Sequence, residues 1–428
     1  MRLVTILIWF GVCLPASPSP ASLTLSLEDA LARARSVALQ YQSAAIAAEV
    51  AHEDRVQAKA ALLPSVTWFH QYIYTQGNGT PSGIFIANNG VHEYGNQGIV
   101  HGDVYAPGKR ADYQRAIAAE AAARARAEIA GRGLAATVAQ SYYGLLAAQK
   151  RFANAEQSLA EARRFVEITR KLEAGGEAAH SDAVKAEIQM EQRQREAQDA
   201  QAGIERSRIG FGVLLFTDYT QEFSVEDDLM NAPPLPPRTQ AEEMAGRNNP
   251  DIRAAQATVR QEQFEVAAAR AGYLPTLSFD YFFGIDANQY AIYNRDHQTN
   301  VGSVAQGTLT IPVWNWGAAR SRVRQGQLRL EQARLELSLA QRQLLANLNS
   351  FYIEAQVASA QIDSLRRSLD LSTESLRLTL LRYEAGEVTV LEVADAQSTL
   401  AQARNAYDDG LVRYRVALAD LQTLTGAF

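Results

Sequence analysis

The chain is written twice. Ala60-Ala61-Leu62-Leu63-Pro64-Ser65-Val66-Thr67-Trp68-Phe69 is answered by Ala271-Gly272-Tyr273-Leu274-Pro275-Thr276-Leu277-Ser278-Phe279. Glu173-Ala174-Gly175-Gly176-Glu177 returns as Glu384-Ala385-Gly386-Glu387, Val104-Tyr105-Ala106-Pro107-Gly108 as Val313-Trp314-Asn315-Trp316-Gly317, and Tyr142-Tyr143 as Phe351-Tyr352. These pairs keep one order and nearly one offset, about 210 residues, which composition alone does not produce. The seam is Pro233-Pro234-Leu235-Pro236-Pro237, a stiff extended segment. The chain therefore divides into a first repeat at 22–232, a Pro-rich linker at 233–238 and a second repeat at 239–428. Residues 1–21 stand apart: Met1-Arg2, an apolar run Leu3–Leu14 and the small residues Ser19-Pro20-Ala21 read as a secretory signal peptide.

Within each repeat the hydrophobic period changes. Residues 27–62 and 239–272 are rich in Ala, Glu and Arg and predict helix, which Pro64 and Pro275 bring to an end because proline disfavours helix at the preceding residue. Alternation then takes over at Ser65–Thr75 and Thr276–Ile285. Leu277, Phe279, Tyr281, Phe283 and Ile285 share one face, and Thr276, Ser278, Asp280 and Gly284 the other. Val66, Trp68, Tyr72 and Tyr74 form the matching apolar face in the first repeat. A period of two over about ten residues suits a tilted strand that crosses a bilayer. Trp68, Tyr72, Tyr74, Phe279, Tyr281 and Phe283 are accordingly predicted to face lipid. Second strands are predicted at about 96–106 and 302–313. Residues 109–172 and 318–383 hold no proline and predict helices of roughly 100 Å at 1.5 Å per residue. Val323, Leu330, Leu337, Leu344, Phe351, Ala358 and Leu365 recur at heptad spacing, which indicates coiled-coil packing. Helices return through 181–216 and 390–424.

Composition closes off other classes. One cysteine, Cys13, leaves no disulfide framework and no Cys-based zinc site, and the six histidines form no His-Glu-x-x-His pair. No metal or cofactor is expected. A net charge of −6 argues against a nucleic-acid partner. Asp227-Asp228 and Asp408-Asp409 are acid pairs with no nucleophile or base nearby, so an exported hydrolase is disfavoured. The long helices alone would suit a soluble periplasmic coiled-coil scaffold, but the aromatic strand faces argue against it. Four strands are too few to close a barrel, and a membrane sheet tolerates no open edge, so several copies must share one barrel.

The duplicated helix–Leu-Pro–strand–loop–strand–long helix plan resembles the TolC-like outer-membrane efflux protein family. So does Arg382-Tyr383-Glu384-Ala385-Gly386-Glu387-Val388, followed by Leu391-Glu392-Val393 and Ala396-Gln397. The likeness covers about residues 23–426. It implies a mainly α fold with membrane β: a homotrimer whose protomers give four strands each to a twelve-stranded β-barrel, continued by a long periplasmic α-helical barrel. It also implies an outer-membrane exit duct for an inner-membrane transporter, joined through a periplasmic adaptor protein and surrounded by outer-membrane lipid.

The resemblance further places a gate at the periplasmic helix turns. Glu392 and Asp395 would ring the constriction, where like charges at close quarters favour cations. Tyr383 would link to Asp182 in the closed state. The family's best-known member carries an arginine where this chain has Val388, and Lys185 occupies the first-repeat position equivalent to Asp395. Adaptor hairpins would dock at the turns Gly175, Gly176, Glu177 and Gly386, Glu387, Val388.

Overall fold

The computed structural model describes residues 23–75 and 91–426, so the signal peptide lies outside the described residues. In chain order the elements are β1 (Leu23–Leu25), α1 (Leu27–Val37), α2 (Leu39–Ala60), β2 (Ser65–Tyr74), β3 (His92–Tyr105), α3 (Pro107–Ala174), α4 (His180–Leu215), β4 (Phe223–Val225), α5 (Arg238–Asn248), α6 (Pro250–Ala271), β5 (Thr276–Ala287), β6 (Val301–Thr310), α7 (Ala318–Glu384) and α8 (Val390–Thr425). The long helices thus arise where proline is absent and helix formers dominate. No helix among the described residues is long and apolar enough to cross a membrane.

Three features differ from expectation. The helix predicted over 27–62 is broken at Ala38, which is extended (φ −66°, ψ 109°). That over 239–272 is broken at Asn249, whose side chain caps the Ile252 amide at 2.9 Å while Pro250 opens the next helix. The third is a short parallel pair, Leu23↔Phe223 to Leu25↔Val225, for which no periodicity gave a sign.

Two compact units form, each drawing on both repeats. The first gathers the described chain up to Ala38, Ala135–Leu235 and Glu354–Asp420; the second gathers Leu39–Leu134, Pro236–Ile353 and the chain from Leu421. In the first unit the paired strands β1 and β4 sit against an aromatic group. Phe211 meets Tyr142 and Phe223 edge-on, with ring centroids 5.9 Å apart in both cases. The Tyr142 hydroxyl donates to the Glu226 carbonyl at 2.6 Å. Tyr143 donates to Asp228 at 3.3 Å, Asp228 is ion-paired with Arg415, and the Arg415 guanidinium lies 5.2 Å from the Tyr143 ring centre.

Beside this network Lys150 bonds Asp227 at 2.5 Å, and Asn154 donates to Asp408 at 2.7 Å. Burial pushes the Asp408 carboxyl above its ordinary range; Asn154 and Lys150 oppose that push, and Asp409 and Asp227 add to it. A carboxyl whose pKa rises on folding supports the fold while protonated, and that support is lost as pH rises through the raised value. Asp408→Asn should therefore raise the thermal midpoint at pH 7. The gain should shrink as pH falls toward 4, measured by circular-dichroism melts across that range. A gain that grew with acidification would reverse the assigned sign.

The second unit carries the sheet, antiparallel in the order β2-β3-β5-β6. Both strands that follow a Leu-Pro pair begin after the same turn: Leu63 N–H donates to the Ala60 carbonyl and Leu274 N–H to the Ala271 carbonyl, each at 2.9 Å. The register Trp68↔Gly98, Gly98↔Phe283 and Phe283↔Ser303 fixes the faces, because directly paired residues point the same way. Trp68, Tyr72, Tyr74, Phe279, Tyr281 and Phe283 fall together on one exposed face. Among the described residues, the positions on that face hold no Asp, Glu, Lys or Arg. The other face holds Ser65, Thr67, Gln97, His101, Asp280 and Gln306, with His101 Nδ1 2.6 Å from the Asp280 carboxylate.

Candidate functional site

The predicted gate residues lie in the first unit, at the turns α3–α4 and α7–α8. Both turns close in one way. Gly176 (φ +78°) donates to the Glu173 carbonyl and Glu177 to the Leu172 carbonyl; Gly386 (φ +74°) donates to the Tyr383 carbonyl and Glu387 to the Arg382 carbonyl. This is the Schellman arrangement, whose left-handed residue is best supplied by glycine. The repeat is thus exact at the backbone where its sequence is already recognisable. The side chains differ. His180 Nδ1 lies 2.7 Å from Glu173 across the first turn, whereas Arg382 pairs with Glu387 at 3.3 Å across the second.

Behind the turns is an apolar cluster from four helices: Phe165 and Val166 of α3, Ala186 of α4, Leu376 and Tyr383 of α7, and Val393, Ala396 and Leu400 of α8, with Val388 and Val390 beside them. Tyr383 is 6% exposed and Val393 is fully buried. Phe165 meets the Tyr383 ring edge-on, 5.2 Å between centroids. The Tyr383 hydroxyl donates to Thr169 Oγ1 at 3.3 Å, and Thr169 donates to the Phe165 carbonyl at 2.9 Å.

The expected closed-state link joins Tyr383 to Asp182. Both residues line a hollow of about 670 Å³ between the turns. The Asp182 carboxylate, however, is bonded by Lys185 at 3.2 Å, three residues along its own helix, and the tyrosine hydroxyl is turned into the core. Thr169 has no sequence signature, because a single threonine in a polar helical stretch carries no spacing signal. Val388, expected at the docking turn, is 9% exposed and packs into the cluster. Gly175, Gly176, Glu177, Gly386 and Glu387 remain exposed at the turns.

The two acids expected at the constriction differ in their local duties. Glu392 Oε1 accepts from the Thr389 amide at 3.2 Å and from its hydroxyl at 3.3 Å, and so helps to begin α8. A threonine followed three residues later by glutamate is a helix-start pairing that also tolerates glutamine. Asp395 is exposed one turn further along the helix. Farther from the turns the coiled-coil helices are riveted by ion pairs: Arg404 bonds both Glu161 oxygens at 2.8 and 3.2 Å, and Arg413 pairs with Glu354 at 2.5 Å.

The sequence profile described as outer membrane efflux protein matches residues 27–210 and 243–427. Among curated relatives, the outer membrane protein OprJ of Pseudomonas aeruginosa is 29% identical over 328 residues, 72% of this chain and 63% of OprJ. The cobalt-zinc-cadmium resistance protein CzcC of Cupriavidus metallidurans is 26% identical over 289 residues, 66% of each chain. The matched stretch is thus just under two thirds of the length of either relative. The solved outer membrane protein VceC of Vibrio cholerae superposes with a TM-score of 0.81 at 18% identity, over 94% of this chain and 96% of VceC. Since the family profile takes in both repeats, with a sheet and paired long helices in the places the duplication predicts, the chain belongs to the outer membrane efflux protein family.

Proposed function

We propose that this chain is the outer-membrane channel of an export assembly, a passive duct rather than an enzyme, gated at its periplasmic helix turns. The observation that carries this reading is the sheet of the second unit. One face is aromatic and carries no Asp, Glu, Lys or Arg, the other holds the sheet's acidic side chains among polar and apolar neighbours, and the edge strands β2 and β6 each have a neighbour on one side only. In hydrocarbon such edges must be paired. Three copies joined β6 to β2 close a twelve-stranded barrel with the aromatic face toward lipid and the polar face toward a water-filled lumen. An adaptor protein at the exposed turns and an inner-membrane transporter complete the path.

At the turns, Glu392 and Asp395 of three copies supply six carboxylates to the constriction. Their fields overlap within a screening length of about 8 Å at physiological salt and raise the local cation concentration. Because glutamine preserves the pairing with Thr389, Glu392→Gln with Asp395→Asn removes charge while the start of α8 is kept. Native mass spectrometry of protein extracted from outer membranes should give a detergent-dependent trimer for both forms. Planar-bilayer recordings should show cation preference in the parent and a clear loss of it, with weaker block by divalent cations, in the double variant. A stable monomer that stays in solution without detergent would sink the channel reading. Unchanged selectivity would remove the two acids from the constriction.

A further inference from the structure

The lumen-side face of the sheet is interrupted by a band that water does not explain. Ile99, Phe282 and Val304 are directly paired across β3, β5 and β6, and Phe69 of β2 lies diagonally beside Ile99. All four point to the same side as Asp280 and His101, away from Trp68 and Phe283, by the strict alternation of the strands. Phe69 and Val304 remain 39% and 59% exposed. A contiguous apolar row across four strands, on the face that holds the sheet's acids, marks a contact surface.

The row has depth because the next one is built from glycine. Gly284 is paired with Gly302 on one side and Gln97 on the other, so two side chains are missing on this face beside Phe282 and Val304. The gap is fixed in the backbone: Gly284 has φ +155°, and a Cβ there would sit 2.1 Å from the Asn96 carbonyl oxygen. A hollow of about 560 Å³ results, lined by Phe69, Ile99, Phe282 and Val304 with Gln97 and Asp286 at its rim. That volume is within the range of small-molecule sites, which are mostly apolar with a few polar groups that orient the ligand.

Charge selects the occupant. Among the described residues, the lumen-side positions of the four strands carry Glu93, Asp103, Asp280 and Asp286 and no Lys or Arg; Asp103 is ion-paired with Lys109 of α3 and Asp280 lies 2.6 Å from His101, while Asp286 lines the hollow itself. We propose that this hollow is a binding station for cationic amphiphiles in transit: a flat apolar or aromatic group lies on Phe282, Phe69 and Val304 while the positive charge is held by the acidic face around it. The station would occur once per protomer. It rests on the channel reading, since that reading makes this face the lumen.

The test is block of channel current by tetraphenylphosphonium, with tetraethylammonium as a cation of equal charge but no aromatic surface. In the native trimer tetraphenylphosphonium should block at a concentration at least ten-fold lower than tetraethylammonium. Phe282→Gln should weaken tetraphenylphosphonium block about ten-fold and leave tetraethylammonium block unchanged. Ile99→Thr keeps a β-branched residue in the strand, so it serves if Phe282→Gln fails to assemble, and should act in the same direction. Equal block by the two cations in the native channel would overturn the station, as would tetraphenylphosphonium block that survives both variants. Failure of the native protein to form any trimeric channel would instead overturn the proposed function on which the station rests.

Discussion

Phe165→Ala should loosen the periplasmic turns more than any other single change in the first unit. Phe165 is 1% exposed, stacks edge-on against Tyr383, and lends its carbonyl to Thr169. Truncating a buried phenylalanine costs about 3–5 kcal/mol through lost burial and the cavity left behind. Tyr383→Phe should cost only about 0.5–1.5 kcal/mol, the worth of one hydrogen bond between neutral groups. The contrast matters because the bond to Thr169 is internal to the cluster, so the cluster's integrity depends first on packing. Limited proteolysis at the turns and basal conductance in planar bilayers should both rise strongly in Phe165→Ala and little in Tyr383→Phe. If the two variants behaved alike, the hydrogen bond rather than the apolar cluster would hold the turns.

Tyr281→Arg should lower the yield of detergent-resistant trimer sharply. The side chain lies mid-strand on the uncharged face, where an arginine near the bilayer midplane costs roughly 2–4 kcal/mol. Phe279→Arg should behave similarly. Ser278→Arg, on the opposite face among polar neighbours, should be much milder. Comparing trimer bands on gels without boiling checks the assignment, and equal losses at Tyr281 and Ser278 would refute it.

Much of this architecture was legible because it rests on local rules that a duplication states twice. Pro64 and Pro275 set the strands' starting points, alternation set the faces, and Gly176 and Gly386 marked the turns through the only backbone conformation that favours them. The strands run from Ser65 and Thr276 as expected, although β3 begins earlier, at His92, and β6 ends earlier, at Thr310. Features held by distant partners were not legible. β1 and β4 are three residues each and pair only because Leu23 and Phe223 meet in the fold. The partner of Tyr383 depends on which way a ring turns inside a four-helix core, and Lys185 captures Asp182 through a helical spacing that competes with any cross-turn bond. Phe282 is illegible in the sequence for another reason. Flanked by Tyr281 and Phe283, it reads as part of one aromatic run, and only the register with Ile99 and Val304 shows that it belongs to the opposite face.

The pairing of Thr389 with Glu392 has a consequence for how such a duct can diversify. On the proposed reading Glu392 both starts a helix and sets the charge of a channel, a pairing of roles that would ordinarily freeze a residue, since most replacements would damage the first role. Here one escape exists. Glutamine satisfies the same amide and hydroxyl, and a glutamate codon becomes a glutamine codon by a change in its first base. In the proposed homotrimer that one base would alter three carboxylates at once, so the ionic preference of the proposed channel would lie a single mutational step from a different value, with the fold of the turn left intact.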